Sequence, residues 1–209
     1  MNFNQKAGIA LLITALLLTS CAEAEKEKNT GEKSSINDRY EDTLAVKEVP
    51  KPRPYPEPLP DSVKQRRFVY GADTQEELCD ILLDALARQD TLTLTRLMVS
   101  EYEFKNWLWW EFPASQPIRN VPVDFAWGNL LQNADKGLRQ ALGKYSGRRL
   151  YYVSHKFLEG QDRYQTFIVH TKTRVTAADS TGRQYEIKVF GSFVEMNGRF
   201  KLMSYRDRD

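Results

Sequence analysis

Proline stands at every second position in the run Val-Pro-Lys-Pro-Arg-Pro-Tyr-Pro-Glu-Pro-Leu-Pro that fills residues 49–60. Each ring fixes φ near −65°, removes a backbone donor and holds its predecessor extended, so neither a helix nor an interior strand can run through. The run predicts a semi-rigid polyproline II rod, reaching about 37 Å at a rise of ~3.1 Å per residue. It divides the chain in two. Residues 22–48 are polar and mixed in charge, with Glu23, Glu25, Lys26, Glu27 and Lys28 clustered at their start. They contain little that could be buried and are expected to be disordered. A spacer explains the rod, and a docking site for a proline-reading domain is the alternative.

Behind the rod, residues 62–209 have ordinary globular composition and the length of one domain, which buries roughly 70% of its unfolded surface. The first half reads helical. Thr74-x-x-Glu77 is a capping box, followed by Leu78, Ile81, Leu82, Ala85 and Leu86 on one helical face. Asp90 is expected to cap a short helix carrying Leu94, Leu97 and Met98, and Ser100-x-x-Glu103 to start a third. Pro113, Pro117 and Pro122 enforce a loop. Asp124 then opens a helix with Trp127, Leu131, Ala134, Leu138 and Leu142 inward, ending near Gly143 and Gly147.

The second half reads as strands over residues 149–158, 163–177, 184–196 and 199–207, rich in aromatic and β-branched residues. Asn197-Gly198 between the last two is the strongest hairpin signal, because a type I′ turn needs positive φ at both central residues. Gly191 interrupts the alternation and predicts a bulge that curves the sheet. The expected fold class is α+β, with N-terminal helices packed on a curved four-stranded antiparallel meander.

The most unusual stretch of the domain runs from Tyr102 to Phe112 and holds Trp107, Trp109 and Trp110. On an α-helix, Phe104, Trp107 and Leu108 share one face while Tyr102 and Trp109 point the opposite way. One apolar face is then core, and the other needs cover from a loop, a partner subunit or a ligand. Core packing is the commoner use of such clusters. Tyr102, Trp107, Trp109 and Trp110 are nonetheless the candidate surface for a protein partner or a small apolar ligand.

His155 and His170 are the only histidines. If Gly160-Gln161-Asp162 centres a hairpin, His155 faces Thr166 or Phe167, and His170 lies roughly 10–13 Å further along the strand. That register allows no dyad, and two separated histidines are too few for a zinc site. No Ser-His-Asp set, Gly-x-Ser-x-Gly, phosphate loop or Cys-x-x-Cys occurs, and mid-strand carboxylates are scarce beside Tyr151, Tyr152, Tyr164 and Tyr185. No catalytic residue, metal or cofactor is assigned. Lys156, Lys172, Arg174, Lys188 and Lys201 are expected to coat the solvent side of the sheet. With a net charge of +2, nothing calls for nucleic acid.

At the front of the chain, Lys6 precedes an apolar run over residues 7–18, then small residues, which is the order of a secretory signal peptide. The run falls short of the roughly 20 apolar residues needed to span hydrocarbon. Leu18-Thr19-Ser20-Cys21 resembles the lipobox of bacterial lipoproteins. That resemblance implies cleavage after Ser20, a signal peptide of residues 1–20, and a diacylglycerol on Cys21. Membrane attachment through the lipidated Cys21 and residence in the bacterial cell envelope follow, either periplasmic or on the outer surface. The Glu/Lys cluster behind it resembles surface-export signals of some lipoproteins, and a solvated spacer explains it equally well. Residues 21–61 would then be lipidated tail and spacer. With Cys21 assigned to lipid, Cys79 has no intramolecular partner and is expected to be a buried thiol.

The opening helix over residues 74–88, the long bent strand and the closing hairpin from Gly191 to Leu202 resemble the nuclear transport factor 2-like (SnoaL-like) cone fold. The small strand pair that family carries before its last helix has only weak material here, in residues 113–123. The resemblance implies a curved sheet around a cavity, which relatives use for catalysis, ligand binding or homodimer formation. The expected function is a non-catalytic ligand- or protein-binding domain on a lipid anchor; the alternative is a small isomerase or dehydratase using the cavity.

Overall fold

The structure, a computed structural model, describes residues 54–206. Cys21, the apolar run and residues 49–53 of the proline segment lie outside the described residues. Helix α1 covers Asp61–Lys64, α2 Gln75–Arg88, α3 Thr91–Arg96, α4 Glu101–Glu103 and α5 Val123–Tyr145. Between α4 and α5 come a π turn at Phe104–Leu108 and single 3-10 turns at Trp109–Glu111 and Pro113–Ser115. Strands β1 Tyr151–Phe157, β2 Gln161–Arg163, β3 Ile168–His170, β4 Thr173–Ala178, β5 Gln184–Ile187, β6 Phe193–Met196 and β7 Arg199–Leu202 follow. The architecture is α+β with two antiparallel sheets, ordered β1-β4-β5 and β2-β3-β6-β7.

The helix starts follow local chemistry. Thr74 Oγ1 accepts from Glu77 N at 3.0 Å, and Asp90 accepts from Thr93 N at 3.0 Å. Ser100 and Glu103 make a complete capping box. Helix α5 begins one residue before Asp124 and keeps Trp127, Ala134, Gly137, Ala141 and Tyr145 buried, whereas Leu131 is exposed.

The single four-stranded meander expected from the sequence is instead seven strands in two sheets. The path along the chain is the anticipated one, but each long segment is broken where its ladder changes sheet. Lys172 has φ of +56°, which interrupts the segment of β3 and β4. At Gly191, between β5 and β6, N–H donates to Ser204 O at 2.9 Å, and a Cβ there would lie 2.5 Å from that oxygen. The first hairpin also differs. Its tip is at residues 164–167, where Tyr164 N bonds Phe167 O, so Gly160 to Asp162 do not form the turn. His155 consequently pairs with Val175, and His170 with Gln161.

At the last hairpin, between β6 and β7, Asn197 and Gly198 both have positive φ, as a type I′ turn requires. The Asn197 amide donates to Lys64 O and Arg66 O, tying the turn to the end of α1. Lys201 does not coat a solvent face. It is buried in β7, where both faces of the strand are covered.

The larger core cluster joins Leu78, Leu82 and Leu86 of α2 and Ala141 of α5 to Val175, Ile187 and Phe193. Cys79 is buried there as a free thiol, and burial pushes its pKa up. The second cluster is aromatic, with Phe68, Phe104, Trp109, Trp127 and Phe167. Glu111 is buried under it and accepts from Thr166 N at 3.2 Å, and also from Gln165 N and the Thr166 hydroxyl. That carboxylate fixes the first hairpin's tip to the aromatic segment.

Tyr55, within the proline run, is already held by the domain. Gln165 accepts from Tyr55 N at 3.2 Å and donates to Tyr55 O at 2.8 Å, while Arg66 donates to the Tyr55 hydroxyl at 2.7 Å. The packed part of the chain thus includes residues ahead of the boundary at 62.

Candidate functional site

The segment after α4 is where the sequence reading and the structure part most usefully. An α-helix would have placed Tyr102 and Trp109 together, opposite Phe104. The π turn at Phe104–Leu108 widens the spiral so that residues five apart stack. Tyr102 therefore meets Trp107 edge-on at 5.8 Å between ring centroids, and Phe104 meets Trp109 at 5.8 Å. Phe104 also packs on Trp127 at 5.5 Å.

The four aromatic candidates separate accordingly. Tyr102 is 64% exposed and Trp107 half-buried, and both line one groove. Trp109 is 5% exposed and belongs to the core. Trp110 is 55% exposed but does not line the groove.

The groove has a volume of about 540 Å³. One wall is Val69 and Tyr70, the latter in the left-handed region with φ of +61°. Leu92, Thr95 and Arg96 from α3 form a second wall, and Tyr102 with Trp107 a third. Trp127 and Leu131 of α5 also line it, and Met98 and Val99 lie between the walls in sequence. Val69, Tyr70, Leu92, Tyr102 and Leu131, all exposed large apolar residues, are therefore not scattered but border a single depression.

Its polar groups are few and mostly neutralised. Lys201 Nζ donates to Glu103 Oε2 at 2.8 Å and Oε1 at 3.1 Å, and both side chains are almost wholly buried. Glu101 is paired with Lys105 at 2.6 Å. Arg96 lies over the Tyr70 ring, 5.1 Å from its centroid. Tyr102 and Trp107 are individually visible in the sequence, whereas Lys201 reads there as a solvent-facing lysine. Val69, Tyr70, Leu92 and Leu131 carry no signal beyond being apolar, and only tertiary placement gathers them.

A second constellation lies apart from the groove. Tyr152 and His155 Nδ1 are 2.8 Å apart, and His155 Nε2 is 2.9 Å from Gln75 Oε1. The same Gln75 amide approaches His170 Nε2 at 3.4 Å, and Glu195 Oε2 lies 3.0 Å from that nitrogen. The histidines do not bond each other, but the first side chain of α2 joins them. Gln75 Oε1 can only accept, so His155 carries its proton on Nε2, and Nδ1 accepts from the Tyr152 hydroxyl. Burial pulls the His155 pKa below its usual value, the Glu76 charge opposes this, and His170 adds to the depression. Among the described residues, no group of His, Cys, Asp or Glu is arranged to hold a metal ion.

No protein-family model, curated protein or solved structure matches this chain. Among the described residues no helix is long and apolar enough to cross a membrane. The groove's own geometry is what speaks for function.

Proposed function

We propose that the chain is an exported lipoprotein, anchored through acylated Cys21, whose globular domain is a non-catalytic binding module for a small apolar ligand. The observation that carries the binding role is the 540 Å³ groove walled by Tyr70, Leu92, Tyr102 and Trp107. That volume falls within the roughly 300–1,000 Å³ of ligand sites, and its chemistry fits theirs: apolar walls with few polar groups. Each methylene that leaves water for such walls contributes about 0.8 kcal/mol. The tripartite leader and the Leu18-Thr19-Ser20-Cys21 sequence support the anchor. The broken four-segment meander beneath N-terminal helices supports a nuclear transport factor 2-like cone.

The catalytic alternative rests on the Tyr152–His155–Gln75 chain of contacts, yet none of these side chains lines the groove. A site for binding and a site for proton transfer would thus be separate, which favours binding alone.

Titration with a fluorescent apolar probe tests this reading. Saturable binding that Leu92→Asp or Tyr102→Asp abolishes, with unfolding midpoints unchanged, is the expected result. Binding indifferent to both substitutions would remove the groove as the site. Cys21→Ala should leave an unprocessed precursor, and mature-sized, membrane-bound product from it would overturn the anchor.

A further inference from the structure

We infer that the groove takes an amphiphile with an apolar chain and a terminal anion, and that Arg96 binds the anionic end. The inference rests on the groove being a binding site, and it concerns what that site selects.

Charge at the groove is the deciding observation. Glu103 and Lys201 pair with each other, and Glu101 pairs with Lys105, which Asp124 also holds. Arg96 is the lining ion left over: among the described residues it has no carboxylate partner. Asp90 is near enough to feel its charge, but the Asp90 oxygens are occupied by Thr93 N and Thr93 Oγ1 at 3.0 and 2.7 Å. The groove therefore presents one guanidinium that no carboxylate binds directly, at an exposed position on its α3 wall.

Arg96 is also held in place. It is the last residue of α3, and its guanidinium lies on the face of Tyr70, itself a groove residue. A cation resting on an aromatic face keeps its edge N–H groups free, and the planar fork matches a carboxylate with two parallel hydrogen bonds. A neutral apolar molecule would leave that fork unused, and a cationic amphiphile would be repelled by it. Long-chain carboxylates, whether free or released from lipid, have the chemistry that fits.

The test uses the chain from residue 22 to residue 209, so that neither an acyl group nor the apolar leader competes. Laurate, dodecanol and dodecyltrimethylammonium are titrated below their aggregation concentrations and followed by tryptophan fluorescence, since Trp107 and Trp127 line the groove. Laurate should bind about tenfold more tightly than dodecanol, the size of one charge-assisted bidentate contact. Arg96→Gln should erase that preference while dodecanol binding stays, and Arg96→Lys should keep part of it. Equal binding of laurate and dodecanol to the parent chain, or a preference that survives Arg96→Gln, overturns the inference and leaves the groove reading standing. If none of the three binds, or if a dimer that dissociates with Tyr102→Glu covers the groove, both fall.

Discussion

Lys201 and Glu103 form an ion pair with no more than 4% of either side chain in water, reaching from β7 to the first turn of α4 beside an apolar groove. Both charges are removed from water, so each depends on the other: deleting one leaves an uncompensated buried charge. Glu103→Leu or Lys201→Met alone should each destabilise the domain by about 3–5 kcal/mol. The pair Glu103→Leu with Lys201→Met should recover most of that, short of about 1 kcal/mol for the lost Ser100 cap. Urea unfolding of the single and double variants measures the coupling. Additive losses would show that the two charges are stabilised separately.

The same pair marks where sequence reading ends. Capping at Thr74, Asp90 and Ser100 and the turn at Asn197-Gly198 are contacts within a few residues, and side-chain chemistry announces them. Lys201 reads as a surface lysine because strand alternation predicts one wet face, and nothing local reveals that α4 covers it. The sheet break at Lys172 is hidden for a similar reason. Positive φ there falls on a lysine rather than a glycine, so it carries no compositional mark. The π turn is hidden too: a widened spiral exchanges the partners of Tyr102 and Phe104 without changing a residue. Two of the groove's aromatic residues could therefore be singled out, but neither their neighbours nor the separation of Trp109 from them.

The His155 environment gives the domain a pH dependence of definite sign. Burial lowers its pKa in the folded chain from the usual 6.5, and the unfolded chain retains the usual value. Between the two values the unfolded state binds more protons, so stability is complete above about 6.5 and falls as pH drops through the folded value. Unfolding midpoints should decline from pH 7.5 to pH 5, and His155→Gln should flatten that decline. An unchanged slope in the variant would assign the pH response to other groups.

Gln165 acts on the proline run through both ends of its amide, holding Tyr55 N and Tyr55 O. Gln165→Ala removes two hydrogen bonds at a partly exposed site, each worth about 1 kcal/mol. Global stability should fall by no more than about 2 kcal/mol, because Arg66 still holds the Tyr55 hydroxyl. Local opening should respond far more. Hydrogen exchange at the Tyr55 amide should accelerate markedly in the variant while the amides of α2 keep their protection. Equal acceleration in both places would mean that the contact supports the whole domain.

Glycines separate close backbone approach from simple absence of a side chain. A methyl group on Gly191 would sit 2.5 Å from Ser204 O and 3.1 Å from Ser204 Oγ. Its neighbour there is backbone, which cannot swing aside. Relief requires the chain at Ser204 to move, which endangers the bonds Gly191 N to Ser204 O, Met203 N to Ser192 O and Arg206 N to Val189 O. Gly191→Ala should therefore cost about 3 kcal/mol, at the upper end of ordinary overpacking. Gly128 and Gly143 lie inside α5 with no atom within 4 Å of an added Cβ. Alanine at either should stabilise by about 0.5–1 kcal/mol, through restricted unfolded-state freedom and better helix propensity. Thermal unfolding of the three variants should show opposite shifts. A neutral Gly191→Ala would mean that the segment carrying Ser204 can retreat without cost, and that the passage from β5 to β6 does not depend on this approach.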